Sequence, residues 1–467
     1  MISQPRFMIA AGASGSGKTL ITCGILQALK QRGKKVSAFK CGPDYIDPMF
    51  HENVLHVKSR NLDTFFTDEE MTRYLFSRGA KETDISVIEG VMGYYDGLGG
   101  IDTKASAYDL ASVTETPVIL VVNTKGMSLS VLAYIQGFLE FRKDSRIQGV
   151  ILNQMSAMRY PEMKKQIERE LGIKVFGYVP NVKEFGLESR HLGLVLPDEV
   201  QNLEEKLGKF AVLLEQTLDL DGLLAVSETA PELENTMPEP LEKLFASDEV
   251  KTIGRESPVI AVARDEAFCF IYEDNLQLLK ELGARVVFFS PLHDGRIPEG
   301  AKGLLLYGGY PELYADKLEA NRTMRKSIAD ALNGGMPCMA ECGGFMYLHE
   351  GIEDMEGKHY EAVGTIAAEA YRTRKLGRFG YIVLTARQKG CLGSSAGALK
   401  GHEFHYFDST DCGESYMALK PFSGKSWKSI HGNDHTIMGF PHLYYYSSPL
   451  LVLEFLEKCI AFGGTKR

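Results

Sequence analysis

The chain has 467 residues, 44% of them hydrophobic, and a formal net charge of −9. At about 150 residues per domain, this length holds two large domains or three small ones, each able to bury a full core. The acidic balance excludes a surface built to grip nucleic acid or an anionic membrane, so neither is an expected partner, and an anionic substrate needs a local basic pocket.

The eight cysteines are scattered with no CxxC spacing, which argues against a zinc site and, at this size, against a disulfide framework. No apolar run approaches the roughly 18 residues that a membrane span needs. Phe7–Ala11 reads as a strand leading into a loop, not as a signal peptide. A reducing cytoplasm is the expected setting.

In chain order, the first half alternates strand-like and helix-like segments. Strands are predicted at Phe7–Ala11, Val36–Lys40, Asp84–Ile88, Val118–Val122, Gly149–Leu152 and Val175–Tyr178. Amphipathic stretches such as Leu20–Arg32 and Pro161–Leu171 lie between them. This order predicts an α/β fold with a mostly parallel sheet covered on both faces. The run Gly222–Pro240 is acidic and proline-bearing, with no clear period. It reads as part of a linker over 221–256, between domains at 1–220 and 257–467. A second α/β pattern follows, with strands at Pro258–Ala263, Arg285–Phe289, Gly303–Tyr307 and Pro337–Ala340.

The segment Gly12-Ala13-Ser14-Gly15-Ser16-Gly17-Lys18-Thr19 fits a phosphate-binding loop at every fixed position, between a strand and a helix. Gly15 and Gly17 let backbone N–H groups crowd around phosphate oxygens; Lys18 reaches the β- and γ-phosphates, and Thr19 is a Mg²⁺ ligand. Strand Asp84–Ile88 leads to Glu89, the usual position of a magnesium partner, and then to a mobile glycine-rich segment, Gly90–Gly97, that contains Asp96. Strand Val36–Lys40 leads to Lys40, Asp44 and Asp47 at the strand edge where open α/β sheets bind ligands. Plain turn chemistry is the other reading of Asp96 and of the Asp44–Pro48 stretch.

In the second half, Cys342 follows an apolar run, with Ala340 and Gly344 two positions to either side. Small residues there permit a sharp strand-to-helix turn that exposes a nucleophile, and a nearby helix N-terminus lowers a thiol pKa. A buried structural cysteine is the alternative, and Cys338 fits it better. Tyr307–Glu312 is glycine-rich and suits an oxyanion hole. The thiol needs a base. His442, His435, His431 and His349 all compete for that role. His402, Glu403 and His405 could form a metal pair, but spacing places no third ligand. Arg372, Arg374, Lys375 and Arg378 form the densest basic cluster: a solvated face, or a receiver for a polycarboxylate.

The stretches KCGPDYIDPMFH (40–51), IEGVMGYYDG (88–97), SRHLGL (189–194), ARDEAFCFIYEDNL (263–276), FSPLHD (289–294), YGGYPELYA (307–315), MAECGGFMYL (339–348) and GHEFHYF (401–407) together resemble the cobyrinate a,c-diamide synthase family of glutamine-dependent corrinoid amidoligases. The resemblance runs from about Arg6 to Phe455. It implies an N-terminal P-loop domain like that of dethiobiotin synthetase and a C-terminal class I-like glutamine amidotransferase domain. It implies cobyrinate and L-glutamine as substrates, ATP as co-substrate and Mg²⁺ as cofactor. Cys342 would be the nucleophile and His442 its activating histidine. Gly12, Ser14, Gly15, Ser16, Gly17, Lys18, Thr19, Lys40 and Asn153 would hold ATP, with Asn153 at the adenine. Thr19, Asp47 and Glu89 would hold the metal, and Asp44 and Asp96 would lie near the reacting carboxylate.

Ordinary class I glutaminases carry an acid two residues after the histidine; Tyr444 stands there, so a Cys–His dyad is implied. The family often has histidine at that position, and aspartate where Asn123 stands. Nickel-sirohydrochlorin or hydrogenobyrinate amidation remains an alternative, as does a ParA/MinD-like regulatory ATPase with an inactive amidotransferase domain. The oligomeric state stays open, a homodimer included.

Overall fold

The computed structural model describes residues 1–181 and 203–463. The SRHLGL stretch therefore lies outside the described residues. Contacts divide the chain into two compact units, Met1–Pro238 and Glu239–Arg467.

The first unit is built on strands β1 (Arg6–Ala11), β2 (Val36–Cys41), β3 (Ser59–Leu62), β4 (Ile85–Glu89), β5 (Val118–Asn123), β6 (Ile147–Asn153) and β7 (Lys174–Val179). They form one sheet in the order β3-β2-β4-β1-β5-β6-β7, and every pairing is parallel. All six residues of β1 and all six of β2 are buried, as expected for central parallel strands covered on both faces. Helix Lys18–Gln31 packs against helix Leu203–Thr217, where Phe210 and Leu214 close on Gly24. Burying each such side chain contributes about 1.5–3 kcal/mol. The crossovers leave the C-terminal ends of β1, β2, β4 and β6 on one edge of the sheet. β1, β2 and β4 are followed there by segments singled out in the sequence, and β6 ends there in Asn153.

The stretch 221–256, expected to be a linker, is largely helical. Helices Leu220–Glu228, Glu239–Ala246 and Asp248–Glu256 occupy most of it. Each has only 8 or 9 residues, too short for a helical period to stand out. Side-chain caps set two of the starts: Asp219 accepts from the Gly222 amide and Ser247 from the Val250 amide.

The second unit has three sheets, built from strands β8 (Val259–Ala263), β9 (Arg285–Phe289), β10 (Ala301–Leu306), β11 (Cys338–Glu341), β12 (His349–Glu353), β13 (His359–Glu361), β14 (Ile366–Arg372), β15 (Phe379–Ala386), β16 (Leu399–Phe404), β17 (Phe407–Ser409), β18 (Tyr416–Leu419), β19 (Ser426–Ser429), β20 (His431–Gly432), β21 (Thr436–Gly439) and β22 (His442–Leu443). The central sheet has the order β20-β21-β11-β10-β8-β9 and is parallel except for the β20–β21 pair. A four-stranded sheet, β13-β12-β14-β17, and an antiparallel five-stranded sheet, β19-β18-β15-β16-β22, complete the unit. All eight cysteines of the chain are free.

Candidate functional site

The phosphate loop leaves β1 at Ala11 and enters the helix at Lys18. Gly17 sits at φ 91°, a left-handed value that favours glycine, and a Cβ there would stand 2.4 Å from the Asn153 amide nitrogen. Asn153, the last residue of β6, donates from Nδ2 to the Ser16 carbonyl at 2.8 Å and so braces the loop from behind. Lys18 Nζ donates to the carbonyls of Ala13 (3.2 Å) and Met92 (2.6 Å). Burial, and then the nearby Lys40, pull Lys18 down to about 8.

A buried cluster lies behind the loop. Thr19 Oγ1 donates to Glu89 Oε1 at 2.7 Å and faces Asp47 Oδ2 at 3.3 Å. Lys40 Nζ donates to Asp47 Oδ2 and, at 2.9 Å, to Glu89 Oε1, with Asp44 Oδ2 at 3.7 Å. Burial opposes charge on Lys40, but Asp47, Glu89 and Asp44 outweigh it and raise its pKa. Burial likewise opposes charge on Glu89, yet Lys40 and His51 hold it well below the carboxylate range. Asp47 is pushed up by burial and by its neighbours Asp44 and Glu89. Asp44 caps the next helix through the Ile46 amide, 2.8 Å away.

Asp96 is exposed and accepts from the Gly93 amide at 3.0 Å. The segment Gly90–Gly97, expected to be mobile, is tied down: the Gly90 and Tyr94 amides donate to the carbonyls of Ile9 and Ala11, both at 2.8 Å. Tyr94 OH donates to the buried Ser145 carbonyl at 2.6 Å. Gly12, Ser14, Gly15, Ser16, Gly17, Lys18, Thr19, Lys40, Asp44, Asp47, Glu89, Asp96 and Asn153 thus gather along one sheet edge.

In the second unit β11 delivers Cys342 to a sharp turn before helix Gly343–Tyr347. Cys342 has φ 48° and ψ −108°, a strained conformation of the kind held at functional turns. A Cβ on Gly344 would stand 2.1 Å from the Leu306 carbonyl, which explains the small residue two positions on. The expectation of an exposed, acidified thiol is corrected. Cys342 is only 6% exposed, and burial, reinforced by Glu312, pushes its thiol upward. The helix that follows has five residues, and the Gly343 amide pulls the thiol back only in part. Desolvation thus favours the neutral thiol, which needs a base.

His442 opens β22. A Cβ on Gly308 would stand 2.5 Å from His442 Cε1 and 3.4 Å from Cys342 Cβ, so both side chains crowd the same glycine. Burial, then His402 and His405, pull the His442 imidazole down to about 3. His349, in contrast, has Nδ1 2.8 Å from the Phe345 carbonyl and Nε2 2.7 Å from Ser409 Oγ. His435 pairs with Asp434 at 2.6 Å, and His431 Nε2 lies 3.0 Å from the Asp411 carbonyl. Cys338 is fully buried on β11.

His402, Glu403 and His405 line up along and just past β16, with His405 stacked on Phe440. Among the described residues no group of three or more His, Cys, Asp or Glu side chains is arranged to hold a metal ion. Of the basic cluster, Arg378 is half-buried, 3.8 Å from Asp408 and over the Trp427 ring. Arg372, Arg374 and Lys375 are exposed.

Near Cys342 stand the carboxyl groups of Glu312, half-buried, and of Glu341 and Glu403, buried; sequence reasoning gives neither Glu312 nor Glu341 a side-chain role. Glu341 precedes the cysteine, but nothing in a linear sequence says what its side chain meets.

A phosphate loop on a parallel sheet in one unit and a cysteine turn in the other define a nucleotide-binding enzyme joined to a glutamine amidotransferase. Residues 7–195 match the CobQ/CobB/MinD/ParA nucleotide binding domain family, and residues 259–434 match the CobB/CobQ-like glutamine amidotransferase domain family. Proteins named cobyrinate a,c-diamide synthase are similar over nearly the whole chain. The one from Caldanaerobacter subterraneus subsp. tengcongensis is 39% identical over 98% of this chain and 99% of its own length. That of Listeria innocua is 39% identical over 99% of this chain and 100% of its own. That of Priestia megaterium is 36% identical over 100% and 99%. The chain belongs to the cobyrinate a,c-diamide synthase family and is a glutamine-dependent amidoligase. Among the described residues no helix is long and apolar enough to cross a membrane.

Proposed function

We propose that the chain amidates the a and c side-chain carboxylates of cobyrinate, or of a closely related tetrapyrrole polycarboxylate, through an acyl phosphate, using ammonia from glutamine. The observation that carries this reading is the presence on one chain of a phosphate loop backed by Lys40, Asp47 and Glu89 and of a buried Cys342–His442 pair. Incubation with MgATP, glutamine and a panel of tetrapyrrole acids, followed by product mass, tests it. A diamide formed from cobyrinate supports the reading; product from another acid alone overturns the substrate.

In the ligase half, the γ-phosphoryl group passes from ATP to a substrate carboxylate oxygen, leaving ADP, and ammonia then displaces phosphate. Lys18 and the phosphate-loop amides neutralise the charge that develops. Asp44 and Asp96 orient the acceptor, and Asn153 stands at the adenine side. Thr19, Asp47 and Glu89 offer the hard oxygen donors that Mg²⁺ takes, and Glu89 Oε2 is buried without a hydrogen bond. Held by these residues, Mg²⁺ would supply positive charge against the phosphates.

In the glutaminase half, His442 takes the proton from Cys342 Sγ as sulfur attacks the side-chain amide carbon of glutamine. Ammonia leaves, and water hydrolyses the thioester to glutamate. The amides of Gly308–Gly309 and Gly343 suit the oxyanion. His442→Ala is expected to lower glutamine-dependent turnover by a factor on the order of 10² or more. His435→Ala leaves turnover near the parent rate; the reverse pattern, measured as glutamate released, rejects the pairing.

Arg374 and Lys375 suit peripheral carboxylates of the substrate. Replacing both with glutamine is expected to raise the tetrapyrrole KM several-fold at low salt, with kcat unchanged, and added salt should narrow the difference because exposed charge pairs are screened. An unchanged KM at low salt returns these residues to a solvated face.

A further inference from the structure

Glu341 is a fully buried acid that the dyad above does not use. It ends β11 and lies in register with Gly439 of β21. The Cys342 amide donates to the Gly439 carbonyl at 2.8 Å, and three residues later the chain returns as β22 and presents His442. Glu341 Oε2 lies 3.8 Å from His442 Nδ1, with both side chains 3% exposed. Neither carboxyl oxygen of Glu341 makes a full hydrogen bond. A buried acid left like this is costly unless a charge arrives to use it.

The position where ordinary class I enzymes carry an acid is engaged elsewhere. Tyr444 OH donates to the buried Asp274 Oδ2 at 2.9 Å. The backbone around His442 is pinned as well: Asn275 Nδ2 donates to the Leu443 carbonyl and its Oδ1 accepts from the Tyr445 amide, at 2.9 and 2.8 Å. That clamp fixes the backbone on the far side of His442, whose Nδ1 faces Glu341 Oε2.

Resting on the Cys342–His442 reading above, we propose that Glu341 is the positioning residue for His442, supplying from the position before the nucleophile the acid that is missing after the histidine. The thiol proton moves to Nε2, while Nδ1–H faces the Glu341 carboxylate, which balances the imidazolium. The 3.8 Å separation shortens to a hydrogen bond as that charge develops, a tightening common between resting and reacting sites. Burial pushes Glu341 well above the usual range, and the Leu443 amide pulls it partly back, so the acid ionises late in a rising pH scan. The other titratable groups facing this pair are Tyr307 at the end of β10, Tyr445 after β22, His402 and His405 from the β16 segment, and Glu312 and Glu403 beside Cys342.

Glutamate release, followed across pH in the full chain, tests this on Glu341→Gln and Glu341→Asp. Expected for Glu341→Gln are a kcat about 30- to 100-fold lower, a glutamine KM within about threefold, and an acid limb moved to lower pH because its titrating group is gone. Glu341→Asp should retain more activity than Glu341→Gln, and Cys342 should alkylate with iodoacetamide more slowly in Glu341→Gln than in the parent. An unmoved acid limb, or a kcat within threefold of the parent, overturns the assignment. Should Glu341→Gln fail to fold by circular dichroism, an acid limb in Glu341→Asp identical to the parent's also overturns it. Loss of activity in Cys342→Ala and His442→Ala without loss in Glu341→Gln rejects only Glu341; no loss in any of the three rejects the dyad itself.

Discussion

Cys342→Ala is expected to abolish glutamine-dependent amidation, lowering it by a factor on the order of 10⁴ to 10⁶, the scale seen when a covalent nucleophile is removed. No thioester forms without the sulfur, and the remaining oxyanion donors cannot replace it. Free ammonia should still support amidation at near the parent rate, because the phosphate loop lies in the other compact unit. The two nitrogen donors are compared in one assay by product mass. Substantial glutamine use by the variant would show that another group, Cys338 or Cys269 among them, releases the ammonia.

Glu89→Gln and Lys18→Ala should each lower amidation with both nitrogen donors, by a factor on the order of 10² to 10³ for the loss of one fixed charge at the transferring phosphoryl group. The two act differently. Lys18 Nζ is bonded to the carbonyls of Ala13 and Met92 rather than to a carboxylate, and burial and Lys40 pull it down to about 8. Glu89, fully buried, holds Thr19 and Lys40 in place at once. Glu89→Gln therefore disturbs both of these groups as well, and the single nucleotide affinity of each variant separates the effects. Parent-like ammonia-dependent rates in either variant would remove that residue from the phosphoryl site.

Much of the first unit is legible in the sequence because its strands are central and parallel. β1 and β2 are buried from end to end, so they stand out as continuous apolar runs. β3 does not stand out: it is Ser59–Leu62, a short polar strand at the sheet edge. The strands β12 to β19 are mostly antiparallel and partly exposed, and Ile366–Arg372 alternates buried and accessible positions without a strong apolar signal. In the site, Lys18, Thr19, Asp47 and Glu89 are found from local motifs, since one loop and adjacent strand ends bring them together. The surroundings of Cys342 are not local. Glu341 reaches His442 only because β11, β21 and β22 take a particular register over about a hundred residues, and burial, rather than the flanking helix, governs the thiol.

Lys40 is an internal counter-ion. Its ammonium bridges Asp47 and Glu89, two buried carboxylates from different elements that would repel one another if left alone. The lysine thus keeps this corner of the sheet edge in shape.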